Sequence, residues 1–328
     1  MNGRLYDPLL HRFLSPDNYI QDASNTQNFN RYGYVLNNPL KYTDKNGHFF
    51  FLIPIIAAAV FGTANLAIQA SNGEVHNFWD GLKAFGSGAI AGAAIATGVG
   101  AGLGVPILGP VLVGAEYSIA GMAAVGTVAG IVKGAATGDW SLLAKTGKIA
   151  GGMFYLNSKR NFFGETLEGL SRFSWEFLQT TVGEDYTQLR NATGNVDRVD
   201  YFDGVTFATA ENTDGKNPGV SIGNYVNIEI VDKINGKFAD RVLSDPLYMH
   251  EYGHTIDSET FGLSYLFVIG IPSLFSKNDP IPGEPREVGT HDFLWYEMRA
   301  TRNAAGYFYK HYGVDWDQNE TYYPTHKR

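Results

Sequence analysis

Long runs without charge mark the first half of the chain. Positions 49–69 and 84–115 contain no Asp, Glu, Lys or Arg, and a further apolar run covers 117–132. Runs of about 20 apolar residues predict helices long enough to span a bilayer, and closely spaced Gly and Ala residues let such helices approach one another. Asn65 and Gln69 interrupt the first run. Two interpretations therefore stay open, a membrane-inserting segment and an apolar linker enclosed within a larger protein.

The second half of the chain carries shorter periodicities. Apolar and polar residues alternate over 198–202, 205–209 and 220–231, which is the period of half-buried strands. Positions 245–261 and 294–305 instead place apolar residues at helical spacing. These patterns predict an α+β domain with a small antiparallel sheet and a pair of helices.

The first of these helices carries the sequence HEYGH at 250–254. On a helix, His250 and His254 lie one turn apart on the same face, so their imidazoles can take two positions around a zinc ion. Glu251 lies beside them as a general base for water in the open position. The alternative is a surface helix that carries two solvated histidines.

Local signals support a helix around this motif. Asp245 and Pro246 provide an N-cap and a first helical residue, and Phe-Gly at 261–262 provides a stop. Gly253 lowers helix propensity by roughly 1 kcal/mol relative to Ala. Its missing side chain would let another backbone pack close to the metal, so we expect a close contact there.

Three downstream residues are candidates for the third metal ligand. Asp257 lies on the same helical face but would have to reach back past His254, and it stands where the metzincin motif needs Gly. We predict Glu297, in the second helix, as the third ligand. His291, just before that helix, is a further candidate for a ligand or a transition-state donor, with an exposed histidine as the alternative. Asp292 is the predicted N-cap of this helix.

The surroundings of the motif should orient the histidines and hold a substrate. Asp257, Arg302 and Asn303 are the nearest polar candidates for partners of the metal-binding histidines, and helical spacing alone does not select among them. The strand at 220–231 is a candidate cleft wall, because an edge strand beside the metal helix can hold a peptide as an added strand. An ordinary sheet that covers the helices is the alternative.

Composition narrows the classes of function. The 33 acidic and 25 basic residues give a formal charge of -8 without a long basic run, so nucleic acid is not the expected partner. The absence of cysteine excludes disulfides and thiolate ligands, so any zinc must rest on His and carboxylate groups. The N-terminus is polar, and we expect no signal peptide.

The N-terminal residues carry a separate pattern of Tyr, Asn, Asp and Pro. It covers the segments 1–8, 12–17, 28–34 and 37–44. This pattern resembles the closing segment of the RHS core in RHS/YD-repeat polymorphic toxins. The resemblance implies an upstream RHS shell, missing from this chain, that encloses a C-terminal toxin domain, and a cognate immunity protein as partner. At 44–48 the sequence lacks the Pro and Leu of the family's self-cleavage element.

The C-terminal region is similar to cassettes of Bacteroidetes RHS proteins. The similarity rests on the HEYGHT run, the apolar segment 267–274, the Glu-bearing helix, and the segments 312–316 and 323–325. It implies a zincin-like metallopeptidase fold with Glu297 as a zinc ligand and a peptide or protein substrate.

These patterns together predict three regions, an RHS-core tail over 1–47, an apolar Gly/Ala-rich region over 48–180, and a zinc metallopeptidase domain over 181–328. We expect a secreted or cell-surface effector. The membrane-inserting interpretation of the apolar runs, one of the two left open, adds membrane contact through 49–69 and 84–132. Two non-enzymatic interpretations stay open. One is a membrane-active, pore-forming protein, and the other is a catalytically inactive RHS remnant.

Overall fold

The computed structural model describes residues 5–7, 9–10, 12–16, 29–33, 49–96, 122, 125–215, 219–276, 279–281 and 289–327. Within this part the chain is a mixed α+β protein, which confirms the predicted class. The helices are α1 Phe49–Ser71, α2 Phe78–Ala96, α3 Val125–Thr137, α4 Ser141–Gly151, α5 Phe162–Arg172, α6 Phe177–Ala192, α7 Phe238–Ser244, α8 Pro246–Phe261, α9 Ile271–Phe275 and α10 Trp295–Tyr312. The strands are β1 Tyr6–Asp7, β2 Arg12–Phe13, β3 Arg198–Phe202, β4 Val205–Ala210, β5 Gly219–Ile222 and β6 Tyr225–Glu229. A 3-10 turn, Gly262–Ser264, and a π-helical turn, Leu266–Gly270, lie between α8 and α9.

A four-stranded mixed sheet has the order β3-β4-β6-β5. The pairs β3–β4 and β5–β6 are antiparallel, whereas β4 and β6 are parallel. The prediction of an antiparallel sheet is therefore wrong at its centre. The predicted single strand over 220–231 is also two strands, because the chain reverses after β5 at Gly223, where φ is +62°. β6 then returns between β4 and β5, which leaves β5 at the edge of the sheet.

Helices cover both faces of the sheet. On one face, Phe207 packs in a core with Tyr248 of α8 and Phe308 of α10. On the other face, its neighbour Ala208 packs with Ile149 of α4. Successive side chains of a strand point to opposite faces, so Phe207 and Ala208 face different layers of helices. Helices α8 and α10 therefore lie together on the face of Phe207.

The apolar segment 49–69 lies in α1, which packs along α2. Asn65 and Gln69, the polar residues within it, are buried and donate to a carboxylate oxygen of Glu165 on α5, at 3.1 and 2.6 Å. Amide donors directed at a buried carboxylate explain why an otherwise apolar helix retains these two side chains.

In the described residues, no single helix is both long enough and apolar enough to cross a membrane. One bent pair, Pro246–Ser264 with Leu266–Phe275, reaches the required length and composition together, with a bend of 114°. The apolar run 97–121 lies outside the described residues, as does most of the RHS-like segment, including 44–48. The structure describes β1 and β2 of that segment as a short antiparallel pair.

Several contacts cross the expected boundary near position 181. Arg160 binds the carboxylate of Glu259 on α8 through two hydrogen bonds of 2.6 and 2.5 Å. Asn157 donates to the hydroxyl of Tyr252, also on α8, at 3.1 Å. Residues before the boundary therefore pack against the helix that carries the HEYGH motif, and the full-length chain is the form to test.

Candidate metal centre

Helix α8 begins and ends as its local signals predict. The carboxylate of Asp245 accepts a hydrogen bond from a backbone N–H of the first turn at 3.0 Å, and Pro246 is the first helical residue. Gly262, with φ at +52°, ends the helix. The predicted cap and stop are confirmed, and the helix therefore carries both histidines of the motif on one face.

Helix α10 approaches α8 most closely at Gly253. A Cβ at this position would lie 2.7 Å from the carbonyl carbon of Ala300 and closer still to its oxygen, so the predicted backbone contact is confirmed. The predicted N-cap of α10 is wrong. The helix begins at Trp295, three residues after Asp292, whose carboxylate instead accepts a hydrogen bond from the Gly289 N–H at 2.8 Å. A turn between Asp292 and the helix separates the cap candidate from the first helical residue.

Three side chains from the two helices converge on one point. One ligand atom from each of His250, His254 and Glu297 lies within 4.8 Å of the other two, and all three residues are buried. Glu297 Oε2 is 3.3 Å from His250 Nε2 and 2.9 Å from His254 Nε2. This buried His-His-Glu group can hold a metal ion, because imidazole nitrogens and a carboxylate oxygen are common metal donors.

Opposite charges within this group shift its pKa values. Burial is the largest single effect on the pKa of His254 and lowers it, but the carboxylates of Glu297, Glu251 and Asp257 together outweigh burial and raise that pKa to about 9. Burial acts to raise the pKa of Glu297, but His254 and His250 hold that pKa well below its ordinary value. Glu297 is therefore ionised at neutral pH, as a carboxylate ligand must be, while a proton on His254 would compete with a metal ion.

Thr301 orients the ring of His250. Its hydroxyl oxygen lies 3.0 Å from the backbone oxygen of Glu297 and 3.1 Å from His250 Nδ1. Because the hydroxyl has a single proton and donates it to the backbone oxygen, it accepts from an Nδ1–H, and the Nε2 lone pair remains for a metal. Sequence reasoning missed Thr301, although its position four residues after Glu297 places it on the same helical face.

Polar groups also surround the second oxygen of Glu297. Its Oε1 accepts a hydrogen bond from the hydroxyl of Ser273 at 2.5 Å and lies 3.4 Å from Nε2 of His291. Nδ1 of His291 in turn contacts the hydroxyl of Ser276. The structure therefore places His291 beside the metal group but outside its three ligand atoms. Ser273 lies on the short helix α9. The segment 267–274 that contains it was part of the sequence similarity, but Ser273 itself had no predicted role.

Asp257 and Asn303 lie together close to His254. Asp257 Oδ1 accepts hydrogen bonds from Arg299 Nε and from Asn303 Nδ2, each at 2.7 Å. In the described part of the chain, the buried atoms Asp257 Oδ2 and His254 Nδ1 have no hydrogen-bond partner. The structure thus places Asp257 outside the ligand group. Among the described residues its Oδ2 accepts no hydrogen bond, and Asp257 lies one helical turn after His254. Arg302 points elsewhere and donates to a backbone oxygen near the C-terminus.

Glu251 lies on the side of α8 that faces the edge strand β5. Its Oε2 accepts a hydrogen bond from the hydroxyl of Ser221 at 2.5 Å, and its carboxylate lies against Gly219. The ring of Tyr323, from the C-terminal segment, lies 5.1 Å from the ring of His250. From the sequence, Ser221 was expected only as part of the candidate cleft wall at 220–231, and Gly219 and Tyr323 had no expected role. Their contacts depend on elements that are distant along the chain.

A cavity of about 600 Å³ lies elsewhere, between the α1–α2 connection and β3. Its lining includes Glu74, Lys159 and Asp203, and it includes none of the three residues of the metal group. The buried carboxylate of Asp203 accepts hydrogen bonds from the hydroxyls of Tyr307 and Tyr312 at 2.7 and 2.6 Å. This cavity is therefore separate from the chemistry of the HEYGH motif.

Comparisons with known proteins identify no relative of the chain. No family model, no curated protein and no solved structure matches it. The geometry of the site and the patterns in the sequence are therefore the basis of the functional assignment.

Proposed function

We propose that the chain is a zinc-dependent peptidase with a zincin-like metal site. The observation that carries the proposal is the buried convergence of His250, His254 and Glu297 within 4.8 Å, with Glu251 next to the first histidine. Two imidazole nitrogens and one carboxylate oxygen form a donor set that suits zinc in hydrolytic sites, where a fourth position stays open. The contact of Thr301 with His250 Nδ1 supports this assignment, since it leaves Nε2 available as a donor.

Each side chain has a role that follows from its position. A zinc ion in this site would supply polarisation of the scissile carbonyl and activation of a water molecule. Glu251, which is outside the ligand group, would accept a proton from the water and later pass it to the leaving amine. His291 and Tyr323, near Glu297 and His250, are the candidates to donate a hydrogen bond to the developing oxyanion.

The position of β5 supports an extended peptide as the substrate. This strand contacts α8 and stands last in the sheet order. Among the described strands, none pairs with its outer edge. An extended peptide can add to such an edge through main-chain hydrogen bonds, which would bring its scissile bond alongside the metal helix. We therefore propose a peptide or protein substrate.

The resemblance of 1–47 to the RHS core supports a toxin as the biological context. In that context the metal-binding region is the toxin, its partner is a cognate immunity protein, and an upstream RHS shell belongs to the parent protein. The metal site does not depend on this context, because contacts among α8, α10 and β5 form it.

Zinc content of the purified full-length chain tests the proposal. We expect close to one zinc per folded chain and cleavage of unstructured peptides. Glu297→Ala should lose the metal, whereas Glu251→Gln should keep it and lose activity by about 10²- to 10⁴-fold. His326→Ala, at an exposed histidine outside the metal group, is the matched control and should retain both.

Two outcomes would contradict the proposed peptidase function. A folded chain that takes up no zinc would refute it and favour the inactive remnant. Leakage of liposomes caused by the wild type and undiminished in Glu251→Gln, without peptide cleavage, would favour the membrane-active alternative.

A further inference from the structure

The carboxylate of Glu251 is held by the edge strand β5. The hydroxyl of Ser221 lies 2.5 Å from Glu251 Oε2 and 3.0 Å from the backbone oxygen of the same residue. The contact with Oε2 is the shorter one, and a carboxylate is the stronger acceptor, so this hydrogen bond dominates. The other carboxylate oxygen, Oε1, accepts no hydrogen bond from the residues that the structure describes.

Gly219 provides the space in which this carboxylate lies. A Cβ at position 219 would lie 2.6 Å from Cδ and 2.8 Å from Cγ of Glu251. Because alternate residues of a strand share one face, Gly219 and Ser221 both face α8. One residue therefore leaves room for the carboxylate, and the other binds one of its oxygens. Tyr265 also helps to fix the position of β5, since its hydroxyl donates to the backbone oxygen of Ser221 at 3.3 Å.

We propose that Gly219 and Ser221 are positioning residues for Glu251, so that the strand which pairs with the substrate also orients the general base. This inference rests on the proposed function. By binding Oε2, Ser221 leaves Oε1 to accept the proton of the attacking water. The same strand would then hold both the substrate and the carboxylate of Glu251. This would fix the position of the general base relative to the scissile bond.

Kinetics of variants in the full-length, zinc-loaded chain test this inference. Ser221→Ala should lower kcat on the order of 10- to 100-fold while KM and zinc content stay unchanged, because the hydroxyl orients the base and binds no metal. Ser221→Thr keeps the hydroxyl and should recover most of kcat. Gly219→Ala should also lower kcat, since its Cβ would displace the carboxylate. Ser71→Ala, which removes an exposed hydroxyl at the end of α1 that donates to the backbone oxygen of Ile68, is the matched control with kcat near that of the wild type.

Each contrary outcome is distinct. Equal kcat in the wild type and Ser221→Ala would overturn the inference and leave the proposed function intact. A loss in Ser221→Ala that comes with an equal loss of zinc, or that threonine does not recover, would show a purely structural role and also overturn it. A zinc-loaded wild type that cleaves no peptide would refute the proposed function, and the positioning role with it.

Discussion

Gly253→Ala is the substitution that tests most directly how two helices form the metal site. Gly253 precedes His254 on α8, and the backbone of α10 at Ala300 lies against it. A Cβ there would lie 2.7 Å from the carbonyl carbon of Ala300, whereas ordinary van der Waals contact begins at 3.4 Å. The helices must therefore separate by about 0.7 Å, the difference between these two distances, and by more if the carbonyl oxygen keeps its direction.

This separation would reach the metal ligands. Glu297 lies one turn from Ala300 on α10, and its Oε2 is 2.9 Å from His254 Nε2. Metal–ligand distances tolerate changes of only about 0.2 Å, so we expect zinc affinity to fall on the order of 10- to 100-fold. Overpacking costs about 1–3 kcal/mol, and the better helix propensity of Ala offsets about 1 kcal/mol of it. The free energy of unfolding should therefore fall by up to about 2 kcal/mol.

Gly306→Ala is the matched control for this substitution. Gly306 also lies within α10, but a Cβ there meets nothing within 4 Å. Gly306→Ala should therefore raise the free energy of unfolding by about 0.5–1 kcal/mol and leave zinc affinity unchanged. Competition with a chromophoric chelator measures zinc affinity, and urea denaturation of the metal-free chain measures stability. A Gly253→Ala protein that binds zinc as tightly as Gly306→Ala would refute the reasoning.

Three further substitutions test other parts of the structure. Thr301→Val removes the acceptor that orients His250 and should weaken zinc binding about 10- to 100-fold, whereas Thr301→Ser should not; equal affinities by chelator competition would contradict the role. Burial raises the pKa of Glu184 from 4.5 to about 7, so the folded state binds its proton more tightly and loses stability as the pH rises from about 4.5 to about 7. Glu184→Gln should therefore stabilise the chain in urea denaturation at about pH 8 but not at about pH 4, and an equal effect at both would refute the assignment. Asn65→Leu makes α1 more apolar but removes a donor to buried Glu165, so the free energy of unfolding should fall by about 1–3 kcal/mol; a more stable variant would contradict the buried network.

Helix α8 could be predicted from the sequence, whereas the sheet beside it could be predicted only in part. The cap at Asp245, the stop at Gly262 and the spacing of the histidines act within a few residues of one another, and all three are found as expected. The parallel pairing of β4 with β6 depends on where the chain goes after Gly223, which strand alternation does not report. The prediction of Asp292 as the N-cap of α10 was wrong for a related reason, since a turn lies between Asp292 and the start of the helix.

The hydroxyl groups around the site could not be predicted either. Serine and threonine are common residues, and no spacing along the chain distinguishes Ser221 and Ser273 from surface residues. The spacing of Thr301 from Glu297 gives its helical face but not its partner. Their roles appear only when β5, α9 and α10 pack around α8, because a hydroxyl selects its partner by distance and direction.

The sequence by itself determined which chemical groups are available. His250, Glu251 and His254 lie on one helix, and the chain has no cysteine thiolate to compete with them. These properties depend on residue type and on spacing within one helical turn. Only the tertiary structure decided that Glu297 meets His254 at 2.9 Å, and that β5 rather than another strand lies against Glu251. The physical reason is that contacts between distant segments follow from the packing of whole helices and strands, which local propensities do not encode.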